Sequence, residues 1–336
     1  MSNNQLLDAL TQEGVLINVS VRYWRAAKKL SPEDLGLNDQ QVNNRLISLG
    51  HKRLLPREAL ASFALIESRA HALIDQSTFS FLGGIARFLP NRRLAGVRST
   101  LDALQQEYEQ ARIAFIERYE DLRRESLDEW REAAVGLQLN PDDLVDRLAA
   151  AYPPSDRLSR YFAFDVHLYQ VQAPEALQRQ LVESGEQAAI AEARDQVVRD
   201  AQQKIGRDTE MFVADCVAAL RQETATICRE MLSSMQTGKT GGVHQKTLNR
   251  LLKFIDDFKT LNFAGDHELE SMLEHARTTL LARSAEEYRD NRSARTELQN
   301  GLRRLGEEAR HLAHQEAREI VERFGQVGRR RIQRAA

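Results

Sequence analysis

Most of the chain carries hydrophobic residues at spacings of three and four, which is the period of an amphipathic α-helix. Residues 98–130 show a heptad-like apolar seam with Glu, Gln and Arg outside it. Two further tracts, residues 175–235 and about 267–325, follow the same pattern, and the Gly-rich residues 237–242 predict a turn between them. These tracts predict a long antiparallel, coiled-coil-like helical hairpin over residues 175–330.

Two segments alternate apolar and polar residues instead, a pattern that is typical of a strand with one buried face. In residues 15–22, β-branched residues occupy every second position, and in residues 161–169, Phe and aliphatic residues do so. Because a single strand is not stable alone, we expect these two segments to pair in one small sheet. The Gly- and Phe-rich residues 79–90 predict two short extended pieces around Gly83 and Gly84.

The fold predicted from these patterns is mainly α, with a long helical hairpin and a small β-sheet in an α+β base. Residues 1–97 form the N-terminal base, and residues 98–153 form a helical excursion from it. Residues 154–174 return to complete the sheet, residues 175–330 form the hairpin, and residues 331–336 form a basic tail.

Composition places the chain among folded intracellular proteins. Hydrophobic residues make up 42% and charged residues 29%, which is enough apolar surface for a core. The 47 Lys and Arg nearly balance the 49 Asp and Glu, so the net charge of −2 disfavours a dedicated nucleic-acid coat. The N-terminus has no basic and apolar leader, and no apolar run reaches the length of a membrane span, so we expect a cytoplasmic protein.

Motifs that could support catalysis or metal binding are incomplete. Residues 238–240, Gly-Lys-Thr, end like a phosphate-binding P-loop, but Ser233 stands where that loop needs its first glycine. His311 and His314 are three residues apart, and the first lacks the adjoining glutamate of a zinc-protease helix. We therefore predict no enzymatic activity, no metal and no cofactor. Cys216 and Cys228 are expected to be buried, reduced thiols.

Clusters of basic and aromatic residues are the candidate binding sites. A predicted loop beside Gly83 and Gly84 is the first, and because Arg and aromatic side chains carry much of the energy of interfaces, we expect it to bind a partner protein. The alternative is a sheet-edge loop with solvated arginines. The residues of this predicted partner-binding loop are Arg87, Phe88, Arg92 and Arg93.

The second basic cluster surrounds Trp24. Its arginine stems could simply cover the edge of an aromatic core. The residues of this cluster are Arg22, Arg25, Lys28 and Lys29. The third cluster is the Arg-rich tail at residues 329–334, which could contact nucleic acid or be an ordinary basic helix end.

Residues 14–20 and Trp24, followed by residues 30–36 and 86–90, resemble the opening of a bacterial domain-of-unknown-function family. That family occurs on integrative elements, plasmids and phage-like islands, and the likeness is clearest over the first third of the chain. Its members tend to be encoded beside a cobaltochelatase-like AAA+ ATPase and a protein with a von Willebrand factor A domain. The resemblance therefore implies a third component of such an ATPase system, and it supplies no catalytic residues.

The leading hypothesis is a non-enzymatic interaction or adaptor protein that works with the AAA+ ATPase in a mobile-element-encoded system. Homo-oligomerisation stays open. The first alternative is a nucleic-acid-associated protein of the mobile element, with the basic clusters as its footprint, and the near-neutral net charge disfavours it. A cryptic hydrolase is the least favoured alternative.

Overall fold

The chain folds as two compact units, each assembled from separate segments of the sequence. Unit 1 comprises Met1–Ile17, Ser77–Ala95 and Leu168–Ala336, and unit 2 comprises Asn18–Gln76 and Gly96–His167. Helical residues make up 74% of the structure, and the prediction of a mainly α fold with a small sheet is confirmed. The structure is a computed structural model that describes residues 3–37, 46–137, 139–170, 185–237, 243–315 and 317–335.

The described residues form six strands and eleven α-helices. The strands are β1 (Gly14–Arg22), β2 (Ala27–Lys29), β3 (His51–Arg53), β4 (Phe79–Phe81), β5 (Ala86–Pro90) and β6 (Ala163–Tyr169). The helices are α1 (Asn3–Glu13), α2 (Ala61–Ser77), α3 (Asn91–Gly136), α4 (Pro141–Ala149), α5 (Ser155–Leu158), α6 (Gly185–Thr237), α7 (Gln245–Leu261), α8 (His267–Thr279), α9 (Ala285–Asp290), α10 (Arg292–His314) and α11 (Arg318–Ala335). None of the helices in these described ranges has the length and hydrophobicity to cross a membrane.

The main sheet has four strands in the order β4-β5-β1-β6. The predicted pairing of residues 15–22 with the segment around 161–169 is confirmed, because β1 and β6 are neighbours in this sheet. β5 is antiparallel to β1, with Gly14 opposite Pro90, and antiparallel to β4, with Phe79 opposite Phe88. The two extended pieces predicted around Gly83 and Gly84 are β4 and β5. A separate antiparallel ribbon consists of β2 and β3.

The helical hairpin of unit 1 has one continuous arm and one interrupted arm. α6 is 53 residues long, and α10 packs along it. The return arm, expected as one helix over residues 267–325, is instead the four helices α8 to α11. Ser284 and Asn291 interrupt it because their side chains accept hydrogen bonds from the first turns of α9 and α10. Of the turn predicted at residues 237–242, Thr237 is the last residue of α6, and residues 238–242, which include the P-loop-like residues, lie outside the described residues.

A buried ion pair ties three helices of unit 1 together. The Nε of Arg221 on α6 donates to Oδ2 of Asp266 at 2.7 Å, and both side chains are at most 5% exposed. The same guanidinium donates to the carbonyl of Leu312 on α10 at 2.7 Å. Asp266 also caps α8 by accepting from the backbone of Leu269. The pair therefore fixes the N-terminus of α8 and the end of α10 against α6.

Aromatic side chains dominate the core of unit 2. Phe63 on α2 is surrounded by the rings of Tyr23, Tyr108, Phe115 and Phe162. The polar ends of the larger rings donate to backbone carbonyls, as buried Tyr and Trp generally do. These hydrogen bonds are Tyr108 to Arg22, Tyr119 to Pro153, Tyr152 to Leu54 and Trp130 to Arg53.

Candidate protein-docking surface

The predicted partner-binding loop is not a loop. Residues 86–90 form β5, and α3 begins at Asn91. Phe88 is only 1% exposed, and its ring packs against those of Phe212 and Phe263 at centroid distances of 5.5 and 4.8 Å. Phe88 lies on the inward-facing side of β5 and belongs to the hydrophobic core. Its side chain is therefore not available as an anchor for a partner.

The arginines that follow β5 make contacts within unit 1. Nε of Arg93 donates to Oγ1 of Thr260 at 2.8 Å, and its guanidinium forms an ion pair with Asp257. Arg92 donates to the backbone carbonyl of Lys259 at 3.1 Å. Both arginines thus bind the last turn of α7, where positive charge complements the helix dipole. Arg87 is half-buried in β5 and also has a partner within the fold.

In the second basic cluster, around Trp24, some side chains form ion pairs with described residues and others do not. Arg22 forms an exposed salt bridge with Asp165 at 3.1 Å. Lys28 and Lys29 lie exposed on β2. Because the Arg22–Asp165 pair is exposed, it contributes at most about 1 kcal/mol to stability, and both charged groups remain accessible to solvent.

Arg25 covers the edge of the aromatic core of unit 2, as the simpler interpretation of this cluster proposed. Its guanidinium carbon lies 4.0 Å from the centroid of the Tyr23 ring, and its nitrogens donate to both oxygens of Glu67, at 2.6 and 2.9 Å. These hydrogen bonds lower the pKa of Glu67. The residue is therefore engaged in stacking and pairing within the fold.

Residues with catalytic potential are dispersed or buried. Within the described ranges, no group of three His, Cys, Asp or Glu side chains comes together as a metal site. Cys216 and Cys228 are buried, as predicted, and burial raises the pKa of both thiols, that of Cys228 to about 12. A thiol that stays protonated is a poor nucleophile.

An apolar groove of about 510 Å³ lies along one face of α6 in unit 1, and we call it the α6 groove. Its second wall is the turn between β4 and β5. The residues that line it are Ser80, Leu82, Gly83, Ile85, Ala201, Lys204, Ile205, Asp208, Met211, Phe212 and Asp215.

The β4–β5 turn is strained and displays a hydrophobic side chain. Leu82 has a φ of +50°, a left-handed conformation that costs a residue with a side chain about 1–2 kcal/mol. Gly83 and Gly84 continue the turn at φ of +67° and +94°, which glycine adopts readily. Ile85 follows and is 85% exposed. The turn therefore holds Leu82 in a costly backbone conformation and exposes a large apolar side chain beside the groove.

The α6 wall combines an apolar floor with an acidic rim. Its lining residues step by three and four from Ala201 to Asp215, so they share one helix face. Met211 is 59% exposed, and Phe212 beneath it is buried. Asp208 and Asp215 form no ion pair with any described residue, and Lys204 is the one cation among the lining residues. The rim therefore carries a net negative charge.

Fold and groove together define a mainly α protein with a small antiparallel sheet and an exposed, mostly apolar groove along α6. Residues 11–289 match a family described as a protein of unknown function (DUF3150), and the chain belongs to this family. No curated protein matches the chain, and no solved structure does. The resemblance to a family of unknown function is thereby confirmed. The sequence analysis missed the groove because the 3–4 spacing on α6 does not distinguish an exposed apolar face from a buried one.

Proposed function

We propose that this protein is a non-enzymatic interaction component that docks a partner protein in the α6 groove. The partner we propose is the AAA+ ATPase of a cytoplasmic, mobile-element-encoded system that includes a von Willebrand factor A domain protein. The observation that carries the docking role is the exposed apolar groove on a 53-residue helix. The ATPase is proposed as the partner because the N-terminal third resembles a family whose members tend to be encoded beside such an ATPase.

The dimensions of the α6 groove favour a helix as its occupant. Residues 201–215 span about 21 Å at 1.5 Å per residue, which matches roughly four turns of a partner helix. A helix in a groove is held by apolar anchors at spacings of three and four, and Ile85 and Met211 offer matching contacts. Methionine is unbranched and adapts to the shape of what it binds.

The negative charge of the groove rim predicts which residues lie beside the apolar anchors of the partner helix. Asp208 and Asp215 stand without ion pairs among the described residues, so Lys or Arg beside the apolar anchors of the partner would complete them. Complementary charge raises the rate of association and excludes partners with acidic flanks. We therefore propose a basic, amphipathic helix of the ATPase as the occupant.

The test is a titration of the full chain with the purified ATPase, followed by calorimetry. Replacing Ile85→Ser together with Met211→Ser should weaken binding by about thirtyfold or more, because two anchors are lost. Both side chains are exposed, so the fold should be unaffected. The matched control is Leu65→Ser with Val135→Ser, two exposed apolar side chains outside the groove, which should bind like the wild type.

Three outcomes would contradict parts of this proposal. Equal binding by the wild type and the groove variant excludes the groove but keeps the ATPase as a partner. No binding by the wild type excludes the ATPase. Self-association of the chain that the groove variant abolishes, measured by analytical ultracentrifugation, would make a second copy the occupant.

A further inference from the structure

The β2–β3 ribbon in unit 2 concentrates positive charge. Five of its six residues are basic, the exception being Ala27. The antiparallel register places Lys28 opposite Lys52 and Lys29 opposite His51. Basic side chains therefore lie directly opposite one another across the ribbon, an arrangement in which a nearby anion offsets the repulsion of like charges.

One of these cations is neutralised within the fold. Nζ of Lys52 lies 2.6 Å from Oδ2 of Asp34, and both side chains are mostly buried. In the part of the chain that the structure describes, no carboxylate lies within ion-pair distance of Lys28, Lys29 or Arg53. These three side chains are exposed, so the ribbon presents an uncompensated positive surface to solvent.

A mostly apolar pocket of about 290 Å³ lies at the end of the ribbon. Trp130 on α3 forms one side, and its indole Nε1 donates to the carbonyl of Arg53 at 3.0 Å, which fixes the ring beside the ribbon. Glu129 is the acidic residue of the pocket. The residues that line the pocket are Arg53, Leu54, Leu55, Pro56, Ser126, Glu129, Trp130 and Ala133.

We propose that the ribbon and this pocket together bind single-stranded nucleic acid, and we call them the ribbon site. Lys29 and Arg53 contact phosphates from one face of the ribbon and Lys28 contacts a further phosphate from the other face, and the pocket receives one base against Trp130. Positively charged tracks combined with aromatic stacking platforms are the general means of binding single strands. This function is distinct from docking in the α6 groove.

The chemistry of the pocket favours a base over a phosphate. Glu129 would repel a phosphate, whereas its carboxylate can accept a hydrogen bond from an N–H group of a base, such as the ring N–H of thymine or uracil. A base can enter the pocket only when it is unstacked and unpaired, as in a single strand. Each ribbon strand is three residues, about 10 Å, long, which suits contact with a few phosphates of a flexible strand.

The first experiment measures fluorescence anisotropy of a labelled oligothymidylate of roughly 12 nucleotides, within the usual site size of such proteins. Lys28→Ala with Lys29→Ala should weaken binding at least about tenfold at low salt. The slope of log affinity against log salt should fall by about 1.4, because two phosphate contacts are lost. Oligouridylate of the same length and a DNA duplex serve as parallel probes, which distinguish RNA from DNA and single from double strands.

The matched control removes the same charge elsewhere. Lys246 and Lys253 are exposed on α7, and neither has an ion pair among the described residues. Lys246→Ala with Lys253→Ala should leave the affinity and the salt slope unchanged. Equal loss of affinity in the control and the ribbon variant would show unspecific electrostatic attraction and overturn the proposal.

The second experiment tests the pocket by intrinsic fluorescence. Of the two tryptophans, Trp24 is buried, so quenching by the oligonucleotide should come from Trp130. Trp130→Leu should abolish the quenching and weaken binding roughly tenfold, and Trp130→Phe should retain part of the affinity. Far-UV circular dichroism checks that the variants fold. No binding by the wild type, or duplex binding as tight as single-strand binding with no effect of Trp130→Leu, overturns the proposal.

Discussion

The two units stabilise their buried polar groups in different ways. In unit 1, helices pack through aliphatic side chains and phenylalanines, and one buried ion pair, Arg221 with Asp266, joins α6, α8 and α10. In unit 2, tyrosine and tryptophan rings fill the core, and their polar ends donate to backbone carbonyls such as that of Pro153.

This difference predicts how each unit responds to substitution. Removing one partner of a buried ion pair leaves an uncompensated charge, whereas removing one neutral hydroxyl leaves a single carbonyl without its donor. In unit 1 the most deeply buried ion pair is thus Arg221 with Asp266, whereas unit 2 combines the mostly buried pair of Lys52 with Asp34 and several neutral hydrogen bonds from Tyr and Trp side chains. Both tryptophans, Trp24 and Trp130, belong to unit 2, so tryptophan fluorescence reports on unit 2 and far-UV circular dichroism reports on the whole chain.

The largest effect should come from Arg221→Met. Asp266 would remain buried without its cation, and we expect the free energy of unfolding to fall by about 3–5 kcal/mol. Urea unfolding followed by circular dichroism measures this loss, and tryptophan fluorescence shows whether unit 2 shares it. Adding Asp266→Asn should recover part of the loss, because the amide is neutral and can still cap α8. A loss below about 1 kcal/mol would contradict a large contribution of the Arg221–Asp266 pair to the free energy of unfolding.

Glycine substitutions should change stability in opposite directions in the two units. A Cβ on Gly301 of α10 would lie 2.5 Å from the side chain of Leu280, so Gly301→Ala should cost about 1–3 kcal/mol. A Cβ on Gly96 of α3 meets nothing within 4 Å, so Gly96→Ala should stabilise the helix by about 0.5–1 kcal/mol. Thermal melts of the two variants test this, and shifts of the same sign would contradict the close packing of α10.

Tyr119→Phe tests the distributed hydrogen bonds of unit 2. The hydroxyl donates to the carbonyl of Pro153 at 2.6 Å in a buried position, so its loss should cost about 1–2 kcal/mol. Tyr161 is half exposed, and Tyr161→Phe is the control that should change stability little. Urea unfolding followed by tryptophan fluorescence makes the measurement. A cost for Tyr119→Phe as large as that of Arg221→Met would remove the contrast between the units.

The smallest effect concerns the acid sensitivity of unit 2. Burial acts to raise the pKa of Asp34, but hydrogen bonds from Lys52 and Ser31 outweigh it and lower this pKa below its ordinary value near 4. Because the folded-state pKa is the lower one, the stabilisation is present above about pH 4 and is lost as the pH falls through the folded-state pKa. Asp34→Asn should reduce the fall of the urea midpoint between pH 7 and pH 3. An unchanged pH dependence would exclude Asp34 as its source.

Local patterns in the sequence determined much of the secondary structure. The alternation in residues 15–22 and 161–169 predicted β1 and β6 and their pairing, because period-two patterns require a partner strand. Asn140 and Pro141 marked the start of α4, where the Asn140 side chain accepts from the backbone of Asp142. The strands and the helix start depend on neighbours in the sequence, so the sequence is sufficient to find them, whereas the pairing of β1 with β6 was inferred from the need of each strand for a partner.

Only the tertiary structure decided which basic and apolar side chains are available to partners. Arg93 pairs with Asp257, 164 residues away, and Phe88 packs against Phe212, so neither contact has a signature in the surrounding sequence. Ile85 is exposed although it lies three residues from Phe88. Lys28 and Lys52 became adjacent through the register of the ribbon. Burial and pairing depend on distant segments that meet in space, and a local hydrophobic pattern does not contain that information.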